Sequence, residues 1–246
     1  MLKNSATRSV VGVLGLAFLT SYPVAATTNG STPVIVDFIE DTGMVAPVNP
    51  NQPDGGHSDG KDGDGFNRPT ENEGVLTLDV IPEWFDFGVQ EVDMQEHTYT
   101  DIVRVKEVNG QQKAQTVHYL QVSDKRDSSS TGWQLTVHHA SVSDRLNNGQ
   151  QELKGAYLTI PKGVVRNSLS ANTSSATDTL TSYQVEVADT AKVIFQSSSA
   201  DSKSGKGQST NTFLPGEVRL TIPKGVAKAG TYQAKVTWTL QASAEN

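Results

Sequence analysis

Residues 231–241 read TYQAKVTWTLQ, and the alternation within them decides the fold class. Successive side chains on an extended strand point to opposite faces. Tyr232, Ala234, Val236, Trp238 and Leu240 therefore share one face, and Gln233, Lys235, Thr237, Thr239 and Gln241 share the other. An apolar side set against a polar side is the mark of a half-buried strand. Well upstream, residues 132–137 read GWQLTV and repeat the tryptophan-any-leucine spacing. There Trp133, Leu135 and Val137 share a face opposed by Gln134, Thr136 and His138. Two readings of these indoles stay open, packing into a core and serving as a platform for a sugar ring.

The same short-period character runs through the second two-thirds of the chain. Strand-like runs stand near 75–81, 99–108, 115–123, 132–142, 156–160, 183–188, 191–197, 217–222 and 231–241, divided by clusters of Gly, Asn, Ser and Asp. Helical periodicity is nearly absent. This pattern predicts an all-β protein with a single sandwich or barrel-like domain over residues 74–246. Asn109-Gly110 reads as a hairpin turn. The serine-rich stretches 168–179 and 197–211 read as exposed loops. The heptapeptide LTIPKGV occurs at 158–164 and again at 220–226. In each copy proline is expected to end a strand and Lys-Gly to make a turn. The order of the copies relative to the tryptophan stretches does not suit a tandem duplication. A repeated local solution, or two pseudo-equivalent strands in one sheet, suits it better.

Residues 1–26 have the form of a secretory signal. Lys3 and Arg8 open it, an apolar run follows at 10–19, and Val24-Ala25-Ala26 offers a cleavage site. The run is too short to span a bilayer, which takes about 20 apolar residues. No sorting motif with an apolar tail is read at the C-terminus, so no membrane or covalent anchor is expected. Residues 27–73 read as a flexible, disordered Pro/Gly/Asp-rich linker, with one strand-like patch, PVIVDFIE, at 33–40. Asp62, Asp64 and Glu73 take three positions of an EF-hand-like loop, but Phe66 and Asn67 occupy its fifth and sixth, so a solvated spacer is the expectation.

Charge and chemistry narrow the function classes. The chain carries a net −7. Loss of residues 1–26 removes Lys3 and Arg8 and no acid, leaving 18 basic residues against 27 acidic ones, a net −9. That excludes nucleic acid as a partner and argues against simple adsorption to an anionic surface. Any hold on an acidic envelope must be local. There is no cysteine, hence no disulfide and no thiol nucleophile. His138 and His139 are adjacent on a predicted strand and face opposite ways, and His118 is expected at a strand surface. No HExxH, GxSxG or Gly-rich phosphate loop occurs. No catalytic residue, metal or cofactor is expected, and the chain reads as a non-enzyme.

Taken together, the C-terminal Tyr232, Trp238 and Leu240, the distal Trp133 and Leu135, and the opening LTLDVIPEWFDFG at 76–88 resemble the WxL-domain surface proteins of low-GC Gram-positive bacteria. The resemblance covers the signal, the spacer and the whole β domain. It implies a secreted protein held non-covalently at the cell wall, with peptidoglycan as the proposed ligand and other cell-surface proteins as partners. Parity makes the two motif tryptophans look structural. The two motif strands are expected to lie close together, with their polar flanks and nearby loops as the ligand surface. Lys162, Lys224 and Lys228 are candidate cations for muropeptide carboxylates. A protein-interaction subunit attached through a partner is the alternative.

Overall fold

The β-branched and aromatic runs do form strands. A computed structural model describes residues 32–55, 66–108, 110–127, 129–130, 132–139, 151–169, 180–198 and 205–243. In chain order the strands are β1 (Asn67–Pro69), β2 (Leu76–Pro82), β3 (His97–Thr100), β4 (Val105–Val108), β5 (Gln111–Ala114), β6 (His118–Asp124), β7 (Trp133–His138) and β8 (Tyr157–Ile160). Then come β9 (Val164–Asn167), β10 (Leu180–Ser182), β11 (Val185–Glu186), β12 (Lys192–Ser197), β13 (Gly207–Phe213), β14 (Arg219–Ile222) and β15 (Thr237–Ala242). The one helical element among the described residues is a 3-10 turn at Pro53–Gly55.

The strands make sheets ordered β1-β2-β6-β13-β9, β10-β12-β7-β15 and β11-β8-β14-β3, with β4-β5 as a separate hairpin. The three larger sheets turn apolar sides to one core, which holds Leu78, Leu120, Leu135, Ile160, Ile194 and Phe195 among others. The protein is all-β, as its sequence pattern requires. The Asn109-Gly110 turn signal falls where β4 and β5 meet, and Gly110 has φ 74°.

Contacts divide the chain into Met1–Phe38 and Ile39–Asn246. Of the first unit, residues 32–38 are described, and they are exposed and without secondary structure. The signal-like residues 1–26 lie outside the described residues, as do Asp62 and Asp64. The rest of the stretch expected to act as a spacer is not uniform. β1 pairs with β2, Phe66 is buried, and Pro47, Val48 and Pro50 cover the outer side of β6 and β13.

That covering explains a strand the hydrophobic pattern did not reveal. β13, GQSTNTF, falls largely in a stretch expected to be an exposed loop, yet it is the strand between β6 and β9. Its outward Thr210 stands opposite Gln121. A polar layer, not an apolar one, is buried there. Asp79 accepts from Thr77 Oγ1 at 2.6 Å, Ser123 Oγ at 2.6 Å and Gln121 Nε2 at 3.1 Å. The amide of Gln121 also accepts from the Val48 N–H at 2.9 Å and donates to the Ala46 carbonyl at 3.1 Å, while Thr210 Oγ1 donates to the Pro50 carbonyl at 2.9 Å. Buried polar groups persist when each finds a partner. Loss of water raises the Asp79 carboxyl above its ordinary pKa, and the three hydrogen bonds offset only part of that.

The two LTIPKGV copies meet. β8 and β14 pair antiparallel with Leu158 opposite Leu220, Thr159 opposite Arg219 and Tyr157 opposite Thr221. Equivalent leucines thus sit on a local two-fold axis. Past isoleucine the copies part. In the second, Lys224-Gly225 makes the expected turn with Gly225 at φ 73°. In the first, no turn forms at Lys162-Gly163, and the chain runs on into β9, correcting that expectation. Gly163 is needed there for space. A Cβ would stand 2.0 Å from Asn211 Oδ1 and 2.6 Å from the Thr212 carbonyl oxygen.

One glycine serves conformation and its twin serves contact, so alanine should separate them. Gly225→Ala is expected to cost about 1–2 kcal/mol, the penalty of a left-handed conformation. Gly163→Ala is expected to cost more, because a backbone oxygen must move. Urea unfolding midpoints check the ranking.

Candidate functional site

The tryptophan-any-leucine stretches are paired neighbours. β15 runs antiparallel to β7 with Trp238 opposite Val137, Leu240 opposite Leu135 and Ala242 opposite Trp133. All these side chains lie on the face turned to the core. Trp133, Leu135 and Val137 are fully buried, and Trp238 and Leu240 pack partly buried against the same cluster. The register sets the two indoles four residues apart along one face, about 13 Å. They share a side but stand at opposite ends of the pair. Tyr232 precedes the strand, which is shorter than the expected 231–241, and its hydroxyl meets Gln151 Oε1 at 3.3 Å.

Trp133 is held on every side. Its ring meets Phe195 edge to face, with centroids 4.8 Å apart and planes at 81°. Its indole N–H donates to the Gly205 carbonyl at 3.3 Å. Gly205 has φ 68°, and a Cβ there would lie 2.6 Å from the indole nitrogen and 2.4 Å from Ser197 Oγ. Only glycine admits the ring that close. The next residue, Lys206, reaches Asp124 Oδ2 at 3.2 Å, and Asp124 is also gripped by Arg126 through Nε and Nη2 at 2.9 and 2.8 Å. Arg126 Nη2 donates as well to the Gly132 carbonyl at 2.8 Å, directly before Trp133. The Asp124 side chain has no exposure, and its two cations satisfy its charge. Sequence reading missed this clasp because Gly205 and Lys206 lie in a Ser/Gly-rich stretch that reads as loop.

The other face of β7 and β15 is polar and matched. Gln134 stands opposite Gln241, Thr136 opposite Thr239 and His138 opposite Thr237. Gln134 and Gln241 are exposed, and Thr136 Oγ1 donates to the Thr239 carbonyl at 3.3 Å.

Lys162, Lys224 and Lys228 are all exposed. The antiparallel pairing of β8 with β14 puts Lys162 at one end of that pair and Lys224 at the other, so the three lysines do not form one cluster. Beside Lys162, the residues Thr159, Pro161, Gln184, Glu217 and Arg219 line an open polar pocket.

His118 is buried, not at a strand surface. Its Nε2 lies 2.7 Å from Asp101 Oδ2, and Gln115 Nε2 lies 3.0 Å from its Nδ1. Asp101 Oδ1 accepts from the Gly216 and Val218 N–H groups at 2.9 and 3.0 Å. Phe85 and Phe213 flank the imidazole. Polar partners inside the domain, invisible to strand parity, draw it inward. The His118 and Asp101 side chains are each 1% exposed, so this pair ties β6 to the turn before β14 and is closed off from solvent. Among the described residues no group of three or more His, Asp or Glu side chains is arranged to hold a metal.

The family model described as WxL domain, surface cell wall-binding, matches residues 25–243. That is most of the chain, and the chain belongs to this family, whose domain binds the cell wall at the cell surface. No curated protein and no solved structure matches it.

Trp133→Ala should cost about 3–5 kcal/mol, the range for emptying a large aromatic site. Trp133→Phe keeps a ring but strands the Gly205 carbonyl and leaves a smaller void, and should cost less. Trp238→Ala, at a partly buried site, should also cost less than Trp133→Ala. Chemical denaturation of the three variants tests this order.

Proposed function

We propose that this WxL-family chain is a secreted, non-catalytic protein that attaches to peptidoglycan without a covalent bond. Residues 1–26 direct export, and the β domain makes the attachment. The family match over residues 25–243 carries the reading. The ligand surface lies on the outer side of the motif strands. The buried indoles fix β7 against β15, and this holds Gln134, Thr136, Thr239 and Gln241 in register on the opposite face. Amides and hydroxyls at strand spacing suit the hydroxyl and acetamido groups of a glycan, and they bind neutral sugar without a positively charged protein. Lys162, Lys224 and Lys228 act as separate counter-charges to muropeptide carboxylates. The non-catalytic reading is supported by the burial of His118 and Asp101, which a wall polymer cannot reach.

The second reading, attachment through a partner surface protein, draws on two features. Among the described strands β15 pairs with β7 alone, which leaves its other edge for an added strand. Val34, Ile35, Val36, Phe38 and Ile39 are also exposed in a row.

Purified protein mixed with protein-free sacculi separates the two. On the first reading the protein sediments with the sacculi, and the double variant Gln134→Ala/Gln241→Ala sediments less while keeping the wild-type melting temperature. Wild-type protein left in the supernatant, but recruited once surface proteins are restored, would favour the second.

A further inference from the structure

Of the three tryptophans, Trp84 is the exposed one, at 58%. It lies in the stretch EWFDFG at 83–88. Phe85 and Phe87 pack against the core, while Trp84 and Asp86 are exposed. The Gly88 N–H donates to Asp86 Oδ1 at 2.8 Å and fixes the turn that follows. Folding alone gives no reason for an indole to stay this wet.

The ring is nevertheless fixed. The Arg104 guanidinium carbon stands 5.4 Å from the Trp84 ring centre and 5.7 Å from that of Phe66. Glu83 Oε2 lies 3.6 Å from Arg104 Nη1. A ring braced by a cation loses little freedom when something stacks on it. The hairpin adds charge beside it. Lys106 and Lys113 are directly opposite each other across β4 and β5, and the Gln115 N–H donates to the Arg104 carbonyl at 2.8 Å, which carries the ladder one step further. Arg104, Lys106 and Lys113 therefore share one face of the hairpin. Glu107 alternates to the other. Lys106 Nζ lies 5.2 Å from the Phe66 ring. Like charges set directly opposite each other destabilise a sheet, and here they occur in a chain of net −7.

We propose that Trp84, with Arg104, Lys106 and Lys113, is a docking site for a sugar that carries an anionic group. The C–H face of a pyranose stacks on the open side of the indole, and its carboxylate or phosphate turns to the cations. The site supplies the local positive charge that a net acidic protein needs on an acidic wall. The inference rests on the wall-binding reading. The anionic group has two sources, the carboxylates of muropeptides and the phosphates of wall polymers.

The test is co-sedimentation of the full chain with two protein-free walls. One keeps its phosphate polymers, and the other is stripped of them by hydrofluoric acid. Wild type, Trp84→Ala, Trp84→Phe and Lys113→Glu are compared, with melting temperatures measured in parallel. Trp84→Ala should keep the wild-type melting temperature, Lys113→Glu should keep or raise it because a cross-strand Lys-Glu pair replaces two like charges, and both should bind about tenfold more weakly, a loss of one stacking or charge contact. Trp84→Phe should keep most of the binding. A loss seen on stripped walls assigns the anion to muropeptide carboxylates, and a loss confined to unstripped walls assigns it to phosphate. Folded Trp84→Ala protein that binds both walls as wild type does would overturn the site and leave wall binding standing. Wild-type protein that sediments with neither wall would remove the wall-binding reading and this site with it.

Discussion

The hydrogen bond from the Trp133 indole to the Gly205 carbonyl is the constraint on which the arrangement of the sheets depends. It joins the first residue of β7 to the segment that leads into β13, two strands of different sheets. Beside it, Lys206 and Arg126 converge on Asp124 at the end of β6. Two neighbouring segments, at 124–126 and 132–133, and a distant one at 205–206 are thereby fixed at one corner of the core. Burial makes the arrangement unforgiving, because an indole N–H or a carboxylate without a partner there has no water to turn to. The same burial settles what the motif tryptophan does. A fully enclosed ring cannot stack on a sugar. The strand it anchors carries the glutamines and threonines on its opposite side.

How much of this was legible varied with the kind of interaction. Alternating strands such as β7 and β15 were readable because one face is apolar and the other polar. Their pairing followed from the resemblance and from the shared Trp-x-Leu spacing. β13 was not readable, since its outward side meets the Asp79–Gln121 network and the segment at Ala46–Pro50 instead of an apolar layer. A buried polar face has the composition of a loop until its partners are known. His118 was misplaced for the same reason, because its partners Asp101 and Gln115 are set by the fold and not by its strand neighbours. The LTIPKGV copies give the opposite lesson. Their identity suited either a repeated local solution or two equivalent strands in one sheet, and the structure holds the second, yet the copies still diverge past isoleucine, where Asn211 and Thr212 crowd Gly163 and nothing lies within 4 Å of a Cβ at Gly225.

Of the candidate lysines, Lys162 and Lys224 sit at equivalent positions of the two repeat copies, and antiparallel pairing puts them at opposite ends. The clasp of Gly205, Lys206, Asp124 and Arg126 had no local sequence signal, since each member is ordinary in its own neighbourhood. Trp84 had a signal, an aromatic directly before two inward-facing phenylalanines, Phe85 and Phe87, but its meaning depends on Arg104 reaching it from a hairpin that sequence cannot place. The domain thus divides its tryptophans by task. One is a buried anchor, one is a partly buried clamp on the last strand, and one faces outward on a cationic brace.

Hydrogen exchange of the tryptophan indole N–H groups, followed by NMR, tests the central claim most directly. The account expects the Trp133 indole proton to exchange only through global unfolding, with an opening free energy matching that from denaturant, while the Trp84 proton exchanges freely. A Trp133 proton that exchanges as fast as that of Trp84 would contradict it, because the ring would then be neither enclosed nor bonded to Gly205.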